Sequence, residues 1–217
     1  MSISRFDIQG PPAMPVYWED ARIPASWRQN KTYQRGHGYT PQIAAFDVET
    51  SQNDMCAWVY LWCMTIDSLR VYGRTVQDFK HWIRRLAAAL DLNPKYRLAV
   101  YVHNLKFDFH FIKNDILISS VKRDDFIAKT KRQIIKCLVD AHLEMRDSAV
   151  YTECPLWMMG EEIGLPKLEE DYEAIRTPQT ELRPESLQYC CRDCDILVYY
   201  YHQEAHIYGG IGKIPRT

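Results

Sequence analysis

Two acidic side chains follow a short apolar run early in the chain. The segment Ile43–Ser51 reads Ile-Ala-Ala-Phe-Asp-Val-Glu-Thr-Ser, and it has the composition of a β-strand. Successive side chains of a strand face opposite sides, so Asp47 and Glu49 project on the same side. Neighbouring carboxylates repel each other, and at the end of a buried strand they require a shared proton or a metal ion. The alternative interpretation is an acidic strand end without chemistry.

A second group of polar residues follows another predicted strand. Leu98–Val102 is a short apolar run, and His103 and Asn104 come directly after it, before a predicted helix that carries Phe107 and Asp108. In α/β proteins, ligand sites form where strands end and helices begin. Asp108 adds a third carboxylate, and Phe107 offers a ring for stacking a nucleobase. The alternative is a buried helix cap and a core phenylalanine.

The third group lies on a long helix near the end of the chain. Pro184 suits a first helical turn, and no further proline or glycine occurs before Gly209. Tyr189 and Asp193 are four residues apart on this helix and therefore share one face. A phenol beside a carboxylate suits a site where the carboxylate binds a metal and the phenol orients a water. The alternative is a plain surface pair.

Composition restricts the classes of protein that fit this chain. The 217 residues are 47% hydrophobic with a net charge of −1, which predicts one domain with appendages and only local nucleic-acid contacts. No apolar run is long enough to cross a bilayer. Seven cysteines without a disulfide pattern indicate a reducing cytoplasm. We interpret Cys190, Cys191 and Cys194 as core residues, because a zinc site needs four suitably spaced ligands.

The periodic body of the chain predicts the α/β class, with a mixed sheet flanked by helices. Strands are expected at 43–51, 57–65, 69–72 and 98–102, and a helix capped by Thr75 is expected between the third and fourth of these. Residues 1–40 are broken by prolines but rich in aromatic side chains, and they are expected to form an arm on the surface of the domain.

Residues 113–147 are expected to form a basic β-hairpin insertion. Its β-rich runs are Ile116–Val121, Phe126–Ala128 and Ile134–Val139. Such a hairpin would either lie along phosphates or present a solvated face. Six basic residues interleave with these runs: Lys122, Arg123, Lys129, Lys131, Arg132 and Lys136.

Taken together, the three groups resemble the DEDD exonucleases, in the variant with a tyrosine, which have an RNase H-like fold. The likeness is closer to the exonuclease domain of protein-primed family B DNA polymerases of tailed phages. It is carried by Phe46–Thr50, Tyr101–Asp108 and Tyr189–Asp193, of which His-Asn-Leu-Lys-Phe-Asp is the most specific string. Lys167 lies upstream of Asp171 and Tyr172, where that family keeps a catalytic lysine.

This resemblance implies a site for two divalent ions, Mg²⁺ or Mn²⁺. Tyr189 would orient the attacking water and Lys167 would contact the scissile phosphate. Thr50, Asn104, Phe107 and Ser148 would hold the 3′ end of a single strand, with His103 and Tyr172 as further candidates. Hard oxygen ligands argue against zinc. The implied metal ligands are Asp47, which is shared by both ions, Glu49, Asp108 and Asp193.

The function implied by the resemblance is a 3′→5′ exonuclease that proofreads single-stranded DNA ends. We expect residues 41–208 to form the exonuclease domain and residues 209–217 to begin a linker to a polymerase domain, with a terminal protein primer as a further partner. No polymerase activity is expected from these residues. The alternatives are a free-standing nuclease acting on RNA or short oligonucleotides, and a catalytically silent module that binds nucleic acid.

Overall fold

The computed structural model describes residues 13–28, 38–116, 125–130, 133–169 and 174–215. Eight strands and five α-helices cover these residues, and the α/β prediction is confirmed. The strands are β1 (Val16–Tyr17), β2 (Gly38–Gln52), β3 (Ala57–Ile66), β4 (Leu69–Gly73), β5 (Tyr96–Val102), β6 (Phe126–Thr130), β7 (Gln133–Val139) and β8 (Leu143–Asp147). The helices are α1 (Val76–Leu90), α2 (Leu105–Ile112), α3 (Ser148–Thr152), α4 (Leu156–Glu162) and α5 (Pro184–Tyr208).

All eight strands belong to one mixed sheet, in the order β1-β4-β3-β2-β5-β8-β7-β6. The central pairs β2–β5 and β5–β8 are parallel, and antiparallel strands flank them on both sides. Parallel neighbours end at the same edge of a sheet, so the ends of β5 and β8 lie side by side. This arrangement brings the polar residues that follow each strand into one region.

Side-chain alternation along β2 gives the sheet two differently covered faces. Phe46 and Val48 belong to the core under α1, whereas Ile43 and Ala45 belong to the core under α5. The period of two therefore separates the layers as the sequence predicted. It also fixes the side on which Asp47 faces, because this residue has the same parity as Ile43 and Ala45.

Helix α1 forms where the sequence predicts it because its first turn is capped. The Thr75 hydroxyl accepts from the Asp78 N–H at 3.1 Å, and the Asp78 carboxylate accepts from the Thr75 N–H at 3.1 Å. This capping box satisfies donors that a helix start leaves without partners. The helix then buries one apolar face against the sheet, with Phe79, Trp82 and Ile83 among its buried residues.

The predicted basic hairpin extends the main sheet, and one of its basic side chains is buried. Lys136 is 1% exposed, so the prediction of a solvated or phosphate-facing side chain is wrong for this residue. The physical reason is that β7 lies between β6 and β8 and is an inner strand. Lys136 Nζ is 3.6 Å from Glu144 Oε2, and Arg97 and Arg146 also pair with Glu144.

Of the remaining basic residues of the hairpin, Lys129 is exposed on β6. Four lie outside the described residues: Lys122, Arg123, Lys131 and Arg132. The strand predicted at Ile116–Val121 also lies outside them beyond Ile116.

Residues 13–28 pack against the sheet edge and α1. Strand β1 pairs in parallel with β4, and the Arg85 guanidinium donates to the carbonyls of Trp18 and Glu19 at 2.8 and 3.1 Å. At the other end of the chain, the Ile211 carbonyl accepts from Arg146 Nη1 at 3.4 Å. Among the helices that the structure describes, none combines the length and apolar character needed to span a bilayer.

Candidate active site

Strand register places Asp47, His103 and Ser148 at one level of the sheet. Ala45 is paired with Tyr101, so Asp47 lies level with His103 just beyond the end of β5. Val102 is paired with Asp147, so His103 lies level with Ser148. The His103 ring and the Ser148 hydroxyl are in contact, with Nδ1 and Oγ 2.9 Å apart.

The side chains of Asp47 and Glu49 face helix α5, and both keep some exposure to solvent. Ligand atoms of Asp47, Glu49 and Cys190 all lie within 4.8 Å of one another. The pairing of β2 with β3 shifts register between Glu49 and Thr50, so Tyr60 is passed over in the ladder. Bulges of this kind occur beside active sites, where they change the direction of a side chain.

Asp108 approaches the same place from the other side of the sheet. It is 1% exposed on α2, and its Oδ1 accepts from the Val48 N–H at 3.1 Å. This bond joins the helix to the backbone between the two acidic residues of β2. The helix itself begins with Asn104 in a left-handed conformation, φ 68°, which asparagine tolerates better than most residues.

The fourth carboxylate comes from α5. Asp193 is 5% exposed, and its Oδ2 accepts from Lys167 Nζ at 2.7 Å. The same ammonium lies 5.3 Å from the centre of the Tyr189 ring, one helical turn before Asp193. Lys167, Tyr189 and Asp193 therefore form one contiguous group beside Asp47.

Burial and mutual repulsion raise the pKa of three of these carboxylic acids. Desolvation, followed by the charge of Asp193, raises the pKa of Asp47 to about 8, although the residue keeps a partly exposed surface. Burial and then the charge of Asp47 raise the pKa of Asp108 well above its usual value. Burial also raises the pKa of Asp193, with Lys167 opposing the shift. Three acids with weakened ionisation are stabilised as carboxylates when cations bind among them.

The donor set fits divalent cations. Carboxylate oxygens are the ligands that Mg²⁺ and Mn²⁺ prefer. Asp193 Oδ1 is buried and has no hydrogen-bond partner among the described residues, which leaves a charged acceptor available to a cation. The residues that would hold such ions are Asp47, Glu49, Asp108 and Asp193.

The predicted strand-binding residues lie around this group. Phe107 is 46% exposed on α2, and Asn104 is exposed before it, while Thr50 is half-buried on β2. A groove of about 490 Å³ lies between α2 and the β6–β7 hairpin, and Asn104, Phe107, Phe109 and Phe126 are among the residues that line it. Tyr172, the remaining candidate, lies outside the described residues.

Sequence reasoning missed two side chains of this region. Cys190 was interpreted as a core residue, and it is buried, but its Sγ is 4.0 Å from Asp47 Oδ2. Its position three residues before Asp193 on a helix was the available signal. Asp147 was assigned no role from the sequence, yet its Oδ1 accepts from the N–H groups of Ala149 and Val150 at 2.8 and 3.2 Å. This cap fixes the turn that carries Ser148.

Comparison with known proteins finds similarity to a phage DNA polymerase. The chain is 27% identical over 172 residues to a DNA polymerase of Bacillus phage B103, which covers 70% of this chain and 28% of that protein. No family model matches.

Solved structures of Phi29 DNA polymerase share the fold. An orthorhombic crystal form superposes with a TM-score of 0.63 at 16% identity, covering 81% of this chain and 32% of that one. A complex of the same polymerase with single-stranded DNA gives a TM-score of 0.58 at 17% identity over 75% of this chain and 32% of that one. The chain thus spans less than a third of the length of these relatives. The chain is thus similar in sequence to a phage DNA polymerase, and it shares its fold with part of Phi29 DNA polymerase.

Proposed function

We propose that this chain is a metal-dependent 3′→5′ exonuclease domain that removes terminal nucleotides from single-stranded DNA ends. The observation that supports this proposal is the convergence of four carboxylates from β2, α2 and α5. The Val48 N–H holds Asp108 at 3.1 Å, and the pKa of Asp47 responds to the charge of Asp193. Carboxylates that converge from distant segments repel one another, and a bound cation would offset this repulsion.

Asp47, Glu49, Asp108 and Asp193 would hold the ions, with Asp47 placed to serve both. Divalent cations held by these residues would neutralise the acids and would supply Lewis-acid stabilisation of the charge that develops on phosphodiester oxygens. The chain's net charge of −1 does not oppose phosphate binding under these conditions, because the ions supply local positive charge.

The protein's own groups would position the reactants. The Lys167 ammonium lies beside Asp193 and Tyr189, where it would donate to an oxygen of the scissile phosphate. The Tyr189 hydroxyl would hold the attacking water. Both roles need fixed geometry, and both side chains are partly or wholly covered by protein.

The strand end would be held by stacking and by short polar contacts. Phe107 presents its ring to solvent, and Asn104 is exposed at the start of the same helix. Thr50 and His103 would contact the terminal nucleotide, and Ser148, which is 0% exposed, would act through the His103 ring that it contacts. Aromatic stacking is independent of base identity, which suits an enzyme that removes any nucleotide.

Within an intact polymerase, this activity would proofread. We assign residues 41–208 to the exonuclease domain, although β2 already begins at Gly38. Residues 209–217 would begin a linker. The relatives that the chain matches are DNA polymerases, and this supports a polymerase domain as partner. A terminal protein primer would be a further partner if replication is protein-primed.

The test is turnover of end-labelled single strands with Mg²⁺, with Mn²⁺ and with EDTA. We expect stepwise shortening from the 3′ end with either ion and none with EDTA. The double variant Asp47→Ala, Glu49→Ala should lose the activity, while an exposed acidic pair on α4, changed as Glu161→Ala, Glu162→Ala, should retain it.

Three results would contradict the proposal. Equal rates in the Asp47→Ala, Glu49→Ala variant and the unchanged protein would mean that a contaminant cleaves the strand. No turnover with either ion, together with retained strand binding, would favour a silent binding module. Faster cleavage of RNA than of DNA would favour the free-standing RNA nuclease.

A further inference from the structure

A sulfur atom lies within the carboxylate group that the proposed function assigns to hard cations. Cys190 is 0% exposed on α5, and its Sγ is within 4.8 Å of ligand atoms of both Asp47 and Glu49. Three points no more than 4.8 Å apart share a centre that is at most about 2.8 Å from each of them. Metal–oxygen and metal–sulfur bonds of about 2.0–2.3 Å are thus reachable through small side-chain rotations.

We propose that Asp47, Glu49 and Cys190 form a binding site for a thiophilic divalent cation of the Zn²⁺ class. Two carboxylate oxygens and one thiolate are a donor set of intermediate softness, which favours Zn²⁺, Co²⁺ or Cd²⁺ over Mg²⁺. On binding, the Cys190 thiol gives its proton to solvent and its sulfur bonds to the cation.

A second observation supplies a further donor. Cys190 and Asp193 are three residues apart on α5 and therefore lie on the same face of the helix. Asp193 is 5% exposed, and its Oδ1 is buried without a hydrogen-bond partner among the residues described. Cys190 Sγ is 4.0 Å from Asp47 Oδ2, so the face of α5 that also carries Asp193 lies against the acidic residues of β2.

Comparison with the neighbouring cysteines distinguishes Cys190 from cysteines that only pack in the core. Cys191 and Cys194 are equally buried on the same helix, but neither belongs to a group of three ligand atoms of this kind among the described residues. Cys191 is therefore a matched control for Cys190. The inference rests on the proposed cation site, and it adds that Zn²⁺ bound there would compete with Mg²⁺ and inhibit cleavage.

The test is cobalt absorption of the metal-free full chain. Co²⁺ should produce a sulfur-to-metal charge-transfer band in the near ultraviolet, and Zn²⁺ should abolish it by displacement. The band should disappear in Cys190→Ser and persist in Cys191→Ser. Affinity for Zn²⁺ should fall at least about tenfold in Cys190→Ser, because loss of a direct ligand exceeds the effect of outer contacts.

Zinc-edge X-ray absorption of the unchanged protein tests the same point without any substitution. A sulfur neighbour at bonding distance supports the inference, and a shell of oxygen and nitrogen alone overturns it. An absent cobalt band, or one that is equal in Cys190→Ser, also overturns it. Failure of the proposed function is distinguishable, because it would appear as no cleavage in Mg²⁺ whatever the cobalt spectrum shows.

Discussion

His103 is expected to make the stability of this protein fall on mild acidification. Burial and then the charge of Lys167 lower the pKa of His103 from 6.5 to about 4. The Ser148 hydroxyl donates to the Val102 carbonyl at 3.3 Å, so its oxygen accepts from His103 Nδ1–H at 2.9 Å. The ring is therefore neutral at pH 7, and it cannot provide a positive charge to a phosphate.

The sign and size follow from proton linkage. The unfolded chain binds a proton at His103 near pH 6.5 and the folded chain only near pH 4, so acid favours unfolding in that window. The contribution is complete above pH 6.5 and is lost as the pH falls towards 4. With these two pKa values, the contribution of His103 to the free energy of unfolding falls by about 2 kcal/mol between neutral pH and about pH 5. The raised pKa of Asp47 acts in the opposite direction, and it does so equally in a variant that lacks only the imidazole.

The measurement is urea unfolding of the unchanged protein and of His103→Asn across that pH range. The asparagine amide takes the place of the Nδ1–H donor but does not titrate, so the variant should lose less stability on acidification. His110→Asn removes an exposed imidazole and should behave like the unchanged protein. A stability difference between the unchanged protein and His103→Asn that is the same at neutral pH and at about pH 5 would refute the reasoning, as would a His103 ring that titrates near 6.5 by NMR.

Three further outcomes follow from the described contacts. Lys167→Met should lower kcat more than it weakens strand binding, measured by single-turnover cleavage and by fluorescence titration, and equal losses would contradict the phosphate contact. Glu144→Gln should lower the free energy of unfolding by about 3 kcal/mol, because it leaves buried cations without their anion, whereas exposed Glu161→Gln should change little in the same urea titration. Phe107→Ala should weaken single-strand binding by about 1–3 kcal/mol in a filter-binding assay, and an equal effect of exposed Trp157→Ala would argue against stacking at Phe107.

Much of the fold is readable from local patterns. The alternation in β2 predicts which residues face each helical layer, and Thr75 with Asp78 predicts the start of α1. Pro184 marks the start of α5, and Gly209 ends it in a left-handed conformation. These features depend on near neighbours in the chain, and near neighbours are what a sequence displays directly.

Local sequence patterns did not predict whether a charged side chain of the sheet is buried or exposed. Lys136 has the pattern of a solvated hairpin residue, but strand order puts β7 between two neighbours and buries this side chain beside Glu144. Strand order is decided by contacts between distant segments. A basic residue can be assigned to solvent or to a buried pair only when those contacts are known.

The sequence alone determined which side chains are available for chemistry: Asp47 and Glu49 on one strand face, and Tyr189 and Asp193 on one helix face, follow from the periods of two and of 3.6 residues. Only the tertiary structure decided their partners. It put the Cys190 sulfur among the carboxylates and set Lys167 against Asp193. The physical reason is that a helix or strand fixes directions within itself, whereas the packing of α5 on β2 fixes which atoms of the two meet.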